Sequence, residues 1–258
     1  MKKAFIILFL ALSITVISFG ASLKIGATPR PHAEILEVIK PLAKEKGLDL
    51  EVVVFTDYVL PNLALADGEL DANFFQHAPY LDTFKSDRGL DLAVLVAVHI
   101  EPMGAYSKKI SSLSELKKGA LVGIPNDPTN GGRALLLLQT AGLIEVDKDA
   151  GITPTVFDIV KNPKNLKFRE LEAAMLPRSL VDLDMAVINT NYALEGGLVP
   201  TTDALVIEGE ESPYANIVAV RTADLEKPEL NLLKELLTSS EVKEFLESEY
   251  KGSIVAAF

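Results

Sequence analysis

The segment DANFFQHAPYLD, residues 71–82, gathers two phenylalanines, a histidine and a tyrosine between acidic residues. Rings are scarce elsewhere: aromatic residues make up 7% of the 258, and the chain has only three histidines. Ala72–Phe75 is short and apolar enough for a strand. Alternation along it sends Phe74 and Phe75 to opposite faces, one toward a core and one toward a cleft. Gln76–Pro79 then reads as a turn, and Tyr80 falls on the first turn of the next helix. A strand that hands over to a helix is the repeating unit of an α/β fold, and in open α/β sheets ligands bind beyond the carboxyl ends of the strands. On that rule His77 and Tyr80 project into a cleft beside one phenylalanine.

The same alternation extends in both directions. Short runs at Ser22–Ala27, Leu50–Phe55, Leu92–His99, Ala120–Ile124, Leu166–Leu171, Met185–Asn189 and Asn216–Arg221 read as strands, and the helical patterns between them predict largely parallel sheets. Helices are expected over His32–Lys46, stopped by Gly47, and over Asn130–Ala141, stopped by Gly142. Ser112 and Glu115 have the spacing of a capping box and predict another helix start. Proline beside extended sequence marks two places where one sheet hands over to another, EPMGAY at 101–106 and SPYANI at 212–217. Two crossings divide the chain into a first lobe at 21–103, a second lobe at 104–216, and a return segment with C-terminal helices at 217–258 that completes the first lobe. Hinge peptides of this kind suit closure around a ligand. A single large open sheet with two irregular strands fits the same pattern.

Residues 1–20 read as an export signal. Lys2 and Lys3 precede the apolar run Ala4–Phe19, and Ser18 and Gly20 supply small residues for cleavage after Gly20. As a helix that run spans roughly 24 Å, short of a hydrocarbon core of about 30 Å. Without residues 1–20 the formal charge moves from −11 to −13, because Lys2 and Lys3 are the only charges removed. A chain this acidic repels nucleic acid and anionic membrane surfaces. Cysteine is absent, which excludes thiolate metal sites and cysteine nucleophiles. No GxSxG or HExxH motif is present, and histidines spread over positions 32, 77 and 99 argue against a zinc site or a hydrolase. A binding module is expected rather than an enzyme, with no cofactor and no metal.

Four loop segments at strand ends carry the candidate site residues. In TPRPHA (28–33), His32 reads as a local capping partner. The rings of Phe75, His77 and Tyr80 suit an apolar, polarisable side chain such as a thioether, since sulfur–ring contacts are worth about 0.3–1.5 kcal/mol. PNDPTNGGR (125–133) lacks the GK[ST] ending of a nucleotide loop and leaves Arg133 on the first turn of a helix, opposing the helix dipole. That placement makes sense when Arg133 and neighbouring N–H groups hold an anion, a carboxylate being the simplest. NTNY (189–192) offers Asn189 and Asn191 as neutral acceptors for an ammonium, with Asn216 in the second crossing as another. Anion clamp, ammonium acceptors and aromatic slot together describe a grip for an amino acid.

GATPRPHAEIL, DYVLPN, DANFFQHAPYLD, IPNDPTNGGRALLLLQTAGLI, NPKNLKFRELEAAMLPRSL and AVINTNYA follow one another from about residue 23 to near the C-terminus. Together they resemble the NlpA family of substrate-binding proteins, whose best-known members are the methionine-binding components of a methionine ABC importer. The resemblance implies an α/β type II periplasmic-binding-protein fold, two lobes with two hinge crossings. It also implies delivery of methionine to a permease with a cytoplasmic ATPase. It places the ligand carboxylate on Arg133 and ligand-facing asparagines at Asn191, Asn189 and Asn216. The family's aromatic and histidine contacts fall on Phe75, His77 and Tyr80, with Tyr58 of DYVLPN a further wall. Most relatives are anchored through a lipidated cysteine after the signal; this chain has none, so no lipid anchor is expected and a soluble periplasmic or extracellular protein is implied. A chemosensory module would show the same pocket.

Overall fold

The architecture is that of a computed structural model, which describes residues 20–209 and 212–258. The expected export signal lies outside the described residues apart from Gly20. The chain begins with β1 (Ala21–Ala27), α1 (Glu34–Glu45), β2 (Leu48–Val54), α2 (Leu60–Ala66), β3 (Ala72–His77), α3 (Ala78–Arg88) and β4 (Leu92–Ile100). The middle holds β5 (Gly104–Tyr106), β6 (Leu121–Pro125), α4 (Pro128–Thr140), β7 (Glu145–Val146), β8 (Ile159–Lys161) and β9 (Lys167–Leu171). It continues through α5 (Leu176–Ser179), β10 (Met185–Ile188), α6 (Thr190–Glu195), α7 (Pro200–Asp203) and β11 (Val206–Ile207). The end comprises β12 (Ala215–Arg221), α8 (Pro228–Leu237), α9 (Ser240–Tyr250) and β13 (Val255–Ala256). Among the described residues, no helix is long and apolar enough to cross a membrane.

These strands form two main sheets, ordered β13-β4-β12-β3-β1-β2 and β11-β5-β10-β6-β9, beside the small β7–β8 hairpin. The single open sheet is thereby ruled out. The chain passes to the second sheet between Ile100 and Gly104 and returns to the first between Ile207 and Ala215. The returning β12 inserts between β3 and β4, antiparallel to both. β5 is likewise antiparallel to β10 and β11. The sheets are therefore mixed and not largely parallel as expected. The reason is the crossings: a strand that enters from the cleft runs against the strands that end there.

Several element boundaries differ from the pattern reading. β3 continues through His77 without a turn, and the His77 ring caps α3 by accepting the Tyr80 N–H at 3.1 Å. Helix α4 starts at Pro128 because Asp127 accepts the Asn130 N–H at 2.8 Å as N-cap. Arg133 consequently sits in the second turn, and the free N–H groups expected around it are served by Asp127. Arg30 takes extended angles (φ −125°, ψ 140°) within the turn Pro29–Ala33, and the chain then runs on into α1 through helical Ala33 (φ −66°, ψ −35°). Ser112 starts only the tight turn Leu113–Glu115, since Leu116 already has ψ 116°.

Each lobe has its own core. Ile35, Leu36, Ile39 and Ala43 of α1 are fully buried against Leu23 and Ile25 of β1, and burying an aliphatic side chain of this size contributes about 1.5–3 kcal/mol. Phe74 joins this core, whereas Phe75 on the opposite face turns to the cleft. In the second lobe Leu135 and Leu138 of α4 pack on Val122 and Val187. The start of α4 seats directly on backbone: a Cβ on Gly132 would lie 2.6 Å from Thr153 Cα, and one on Gly131 2.9 Å from the Pro125 carbonyl oxygen. The glycine pair thus holds Asn130 and Arg133 at the carboxyl end of β6.

Candidate functional site

Between the lobes lies a pocket that holds about 330 Å³ of space between atoms, part of it open to solvent. From the first lobe Tyr58, Phe75, His77 and Tyr80 line it, with Asn216 from the start of β12. Arg133, Asn189 and Asn191 line it from the second. All eight residues singled out in the sequence therefore face one space. Gln76, Glu101, Asn130 and Thr190 also line it and were not foreseen. Asn130 lies in the glycine-bearing segment and Glu101 opens the first crossing, so proximity to those features was the available signal.

The aromatic wall is continuous. Tyr58 stands with its ring centroid 5.8 Å from Phe75, 5.9 Å from Tyr80 and 4.9 Å from Tyr192. The Tyr80 hydroxyl donates to the Tyr58 carbonyl oxygen at 2.8 Å, and the Tyr192 hydroxyl reaches the Thr56 carbonyl oxygen at 3.3 Å across the lobes. His77 Nε2 meets Asn130 Oδ1 at 3.1 Å, which also joins the two lobes. Burial pushes the His77 imidazole down to about 3, and the Arg133 cation adds to the effect. The same burial raises Tyr58 well above its ordinary value.

Arg133 is 2% exposed, so it is no surface arginine. Nor does it stand alone as a free anion clamp. Its Nε and Nη2 donate to both oxygens of Glu208, at 2.8 and 2.5 Å, and Nη2 also reaches the Glu101 carbonyl oxygen at 2.7 Å. The guanidinium carbon lies 4.2 Å from the centre of the Tyr214 ring. Among the described residues these bonds leave from Nε and Nη2, so Nη1 is the nitrogen left for a guest.

The asparagines also differ from the expected set of ammonium acceptors. Asn189 donates Nδ2 to Asn130 Oδ1 at 2.7 Å and keeps a buried, unpaired Oδ1. Asn191 has the reverse pattern: its Oδ1 accepts the Tyr58 hydroxyl at 2.5 Å, and its buried Nδ2 is unpaired. Asn216 Oδ1 is engaged by His32 Nε2 at 3.2 Å. Among the described residues, the polar atoms on offer thus include the amide acceptor Asn189 Oδ1, the amide donor Asn191 Nδ2 and one guanidinium nitrogen.

Nor are the histidines scattered in space. His32 is fully buried, held at Nδ1 by the Thr28 hydroxyl at 2.7 Å, so its role exceeds a local cap. Its Nε2 lies 3.4 Å from Glu101 Oε1, and His99 Nε2 lies 2.8 Å from the same oxygen. Possible ligand atoms of His32, His99 and Glu101 come within 4.8 Å of one another. Hydrogen bonds already occupy those atoms, and we assign the cluster that role. Burial pushes His32 down to about 4 and His99 to about 3.

Two α/β lobes joined by two crossings, with a polar cavity closed between them, define a ligand-binding protein of the type II periplasmic-binding-protein fold. The family described as NlpA lipoprotein matches residues 23–258. The D-methionine-binding lipoprotein MetQ of Escherichia coli K12 is 47% identical over 236 residues, covering 90% of this chain and 87% of that one. Outer membrane lipoprotein 3 of Mannheimia haemolytica is 41% identical over 257 residues, 99% of this chain and 98% of that one. A solved nutrient binding protein of Burkholderia cenocepacia, bound to methionine, matches with a TM-score of 0.89 at 50% identity, covering 92% of this chain and 100% of that one. The chain belongs to the NlpA lipoprotein family. It is a binding protein and not an enzyme, as its relatives are. Two of those relatives are lipoproteins by name, at odds with the expectation of no lipid anchor, which rested on the lack of cysteine in this chain.

Proposed function

We infer that this protein is the exported substrate-binding component of an ABC importer, which captures methionine between its lobes and hands it to a permease driven by a cytoplasmic ATPase. The reading is carried by the polar atoms left over when the cavity's own hydrogen bonds are counted. An unpaired donor, Asn191 Nδ2, and an unpaired acceptor, Asn189 Oδ1, complement a zwitterion. The guest carboxylate takes Arg133 Nη1 and Asn191 Nδ2; the ammonium takes Asn189 Oδ1. Leaving a buried polar group unpaired costs about 1–3 kcal/mol. A guest that satisfies such groups binds the closed cleft more tightly than the open one, and this difference drives closure.

The thioether lies against Tyr58, Phe75 and Tyr80, whose rings sit 5.8–6.1 Å apart. The methionine-related names of the Escherichia coli relative and the Burkholderia structure support the same guest, and the relatives' lipoprotein names fit work at the periplasmic face.

A thermal-shift panel of L-methionine, D-methionine, glycyl-methionine and other neutral amino acids tests the reading. A ligand at a hundred times its Kd adds about 2.7 kcal/mol to stability. One or both methionine enantiomers are expected to give the largest shift. A panel in which neither raises the midpoint while another amino acid does would overturn it.

A further inference from the structure

Glu101 touches both lobes and a crossing at once. It directly follows β4 and is 5% exposed. Its Oε1 faces two side chains of the first lobe, His99 Nε2 at 2.8 Å and His32 Nε2 at 3.4 Å. Its Oε2 accepts the Asn191 N–H of the second lobe at 3.0 Å. Its carbonyl oxygen accepts Arg133 Nη2 at 2.7 Å. Thr28 and Asn216 in turn orient His32.

We propose that Glu101 is a positioning residue of closure: His32 and His99 hold its carboxylate so that Oε2 meets the Asn191 N–H only when the cleft shuts on its guest. This rests on the cleft being the methionine site. A buried carboxylate is costly unless its oxygens are paired, and here one oxygen is served from each lobe. Opening the cleft removes the Asn191 donor, so the bond belongs to the closed form alone, which is the differential contact that ligand-driven closure needs.

The charged and titratable groups around the carboxylate fit this role. His32 from the turn Pro29–Ala33 and His99 from β4 are kept neutral by burial. Arg133 from α4 favours the anion, whereas Glu195 of α6 is of like charge, and the Tyr58 phenol lies within the same field. With Arg133 paired to Glu208, the Glu101 carboxylate depends on the hydrogen bond to His99, the His32 imidazole 3.4 Å away and one backbone N–H. Replacing it by a neutral amide weakens that set while keeping its shape, because charge-assisted hydrogen bonds are about twice as strong as neutral ones.

The chain has no native cysteine, so a Glu37→Cys, Lys117→Cys pair, one exposed position on each lobe, can carry spin labels whose separation reports the closed fraction. The pair is compared in the parent and in Glu101→Gln, with and without saturating methionine, alongside stopped-flow kinetics. Glu101→Gln is expected to lower the closed fraction in methionine and to raise koff roughly tenfold or more, leaving kon nearly unchanged. The midpoint of the ligand-free protein is expected to fall less than that of the methionine-loaded protein, because the Asn191 contact is made only in the closed form. His99→Gln moves the same readouts in the same direction by less, and keeps the test available where Glu101→Gln folds poorly. Closed fraction and koff equal to the parent's overturn the proposal. A parent that neither binds methionine nor closes with it defeats the functional reading instead, whereas a parent that closes beside a Glu101→Gln variant that closes equally defeats the role of Glu101 alone.

Discussion

Tyr58 donates its hydroxyl to Oδ1 of Asn191 across the cleft at 2.5 Å, and that bond decides which end of the Asn191 amide a guest meets. With Oδ1 taken, the donor Nδ2 is left over. Asn191→Asp replaces that donor by a charged acceptor. Facing a guest carboxylate, the new anion is expected to weaken methionine binding by several kcal/mol, more than roughly a hundredfold in Kd. Asn191→Ala, which only removes the donor, is expected to cost about 1–3 kcal/mol. Calorimetry decides: an aspartate variant that binds as well as the parent means that this amide presents its acceptor to an ammonium.

Arg133 carries two duties, and two variants separate them. Its guanidinium is paired with Glu208 through Nε and Nη2, and among the described residues Nη1 has no hydrogen-bond partner. Removing one partner of a buried pair costs about 3–5 kcal/mol, so Arg133→Ala is expected to lower both the thermal midpoint and the affinity. Adding Glu208→Gln removes the stranded charge and is expected to restore much of the midpoint but not methionine binding. Parent affinity in either variant takes Arg133 out of the site.

The parts of this site differ in how far local pattern reveals them. Strand ends are legible because runs such as Met185–Ile188 are short, wholly buried and followed at once by polar residues. The positions of Arg133, Asn189 and Asn191 follow from such ends, and Phe74 and Phe75 separate by alternation alone. Partnership is another matter. Glu208 lies 75 residues beyond Arg133, and Asn216 lies 184 beyond His32. Pairings of that span are made by the crossings, and no spacing rule reaches them. The Asn191 amide was read with the wrong end free for the same reason, since Tyr58, which occupies its Oδ1, is 133 residues away. Strand direction failed because a run of β-branched residues has the same composition in either orientation.

Acid is expected to destabilise the protein through its three histidines. Burial holds His32 at about 4 and His77 and His99 at about 3, all below the ordinary 6.5. The unfolded chain therefore binds more protons below about pH 6.5, and the stability present above that pH is lost as pH falls toward 3–4. Each histidine contributes a slope of about 1.4 kcal/mol per pH unit in that window. Glu101 acts in the opposite sense: burial raises its carboxyl, so its contribution falls as pH rises through the folded-state value. Urea melts at pH 7 and pH 5 check the balance, with lower stability expected at pH 5. His99→Gln is expected to flatten the slope by about one proton, and a profile level from pH 7 to pH 5 would contradict the neutral, buried histidines.

The glycine pair before Arg133 links stability to binding through backbone contact. A methyl group at Gly132 would stand 2.6 Å from Thr153 Cα and 2.8 Å from the Ile152 carbonyl oxygen, and neither backbone atom can swing aside as a side-chain tip would. Gly132→Ala must therefore push the start of α4 away from the 152–154 segment, which carries Asn130 and Arg133 with it. Overpacking of this kind costs about 1–3 kcal/mol, well above the gain of up to about 1 kcal/mol that alanine brings to a helix interior. A lowered urea midpoint and weaker methionine binding are both expected. Leu136→Ala, later in the same helix and only partly buried, serves as the comparison, since it trims packing without moving the helix start. Should Gly132→Ala unfold at the parent's midpoint and bind methionine as tightly, then α4 is free to slide on its sheet, and Arg133 is seated by Glu208, the Glu101 carbonyl and Tyr214 instead.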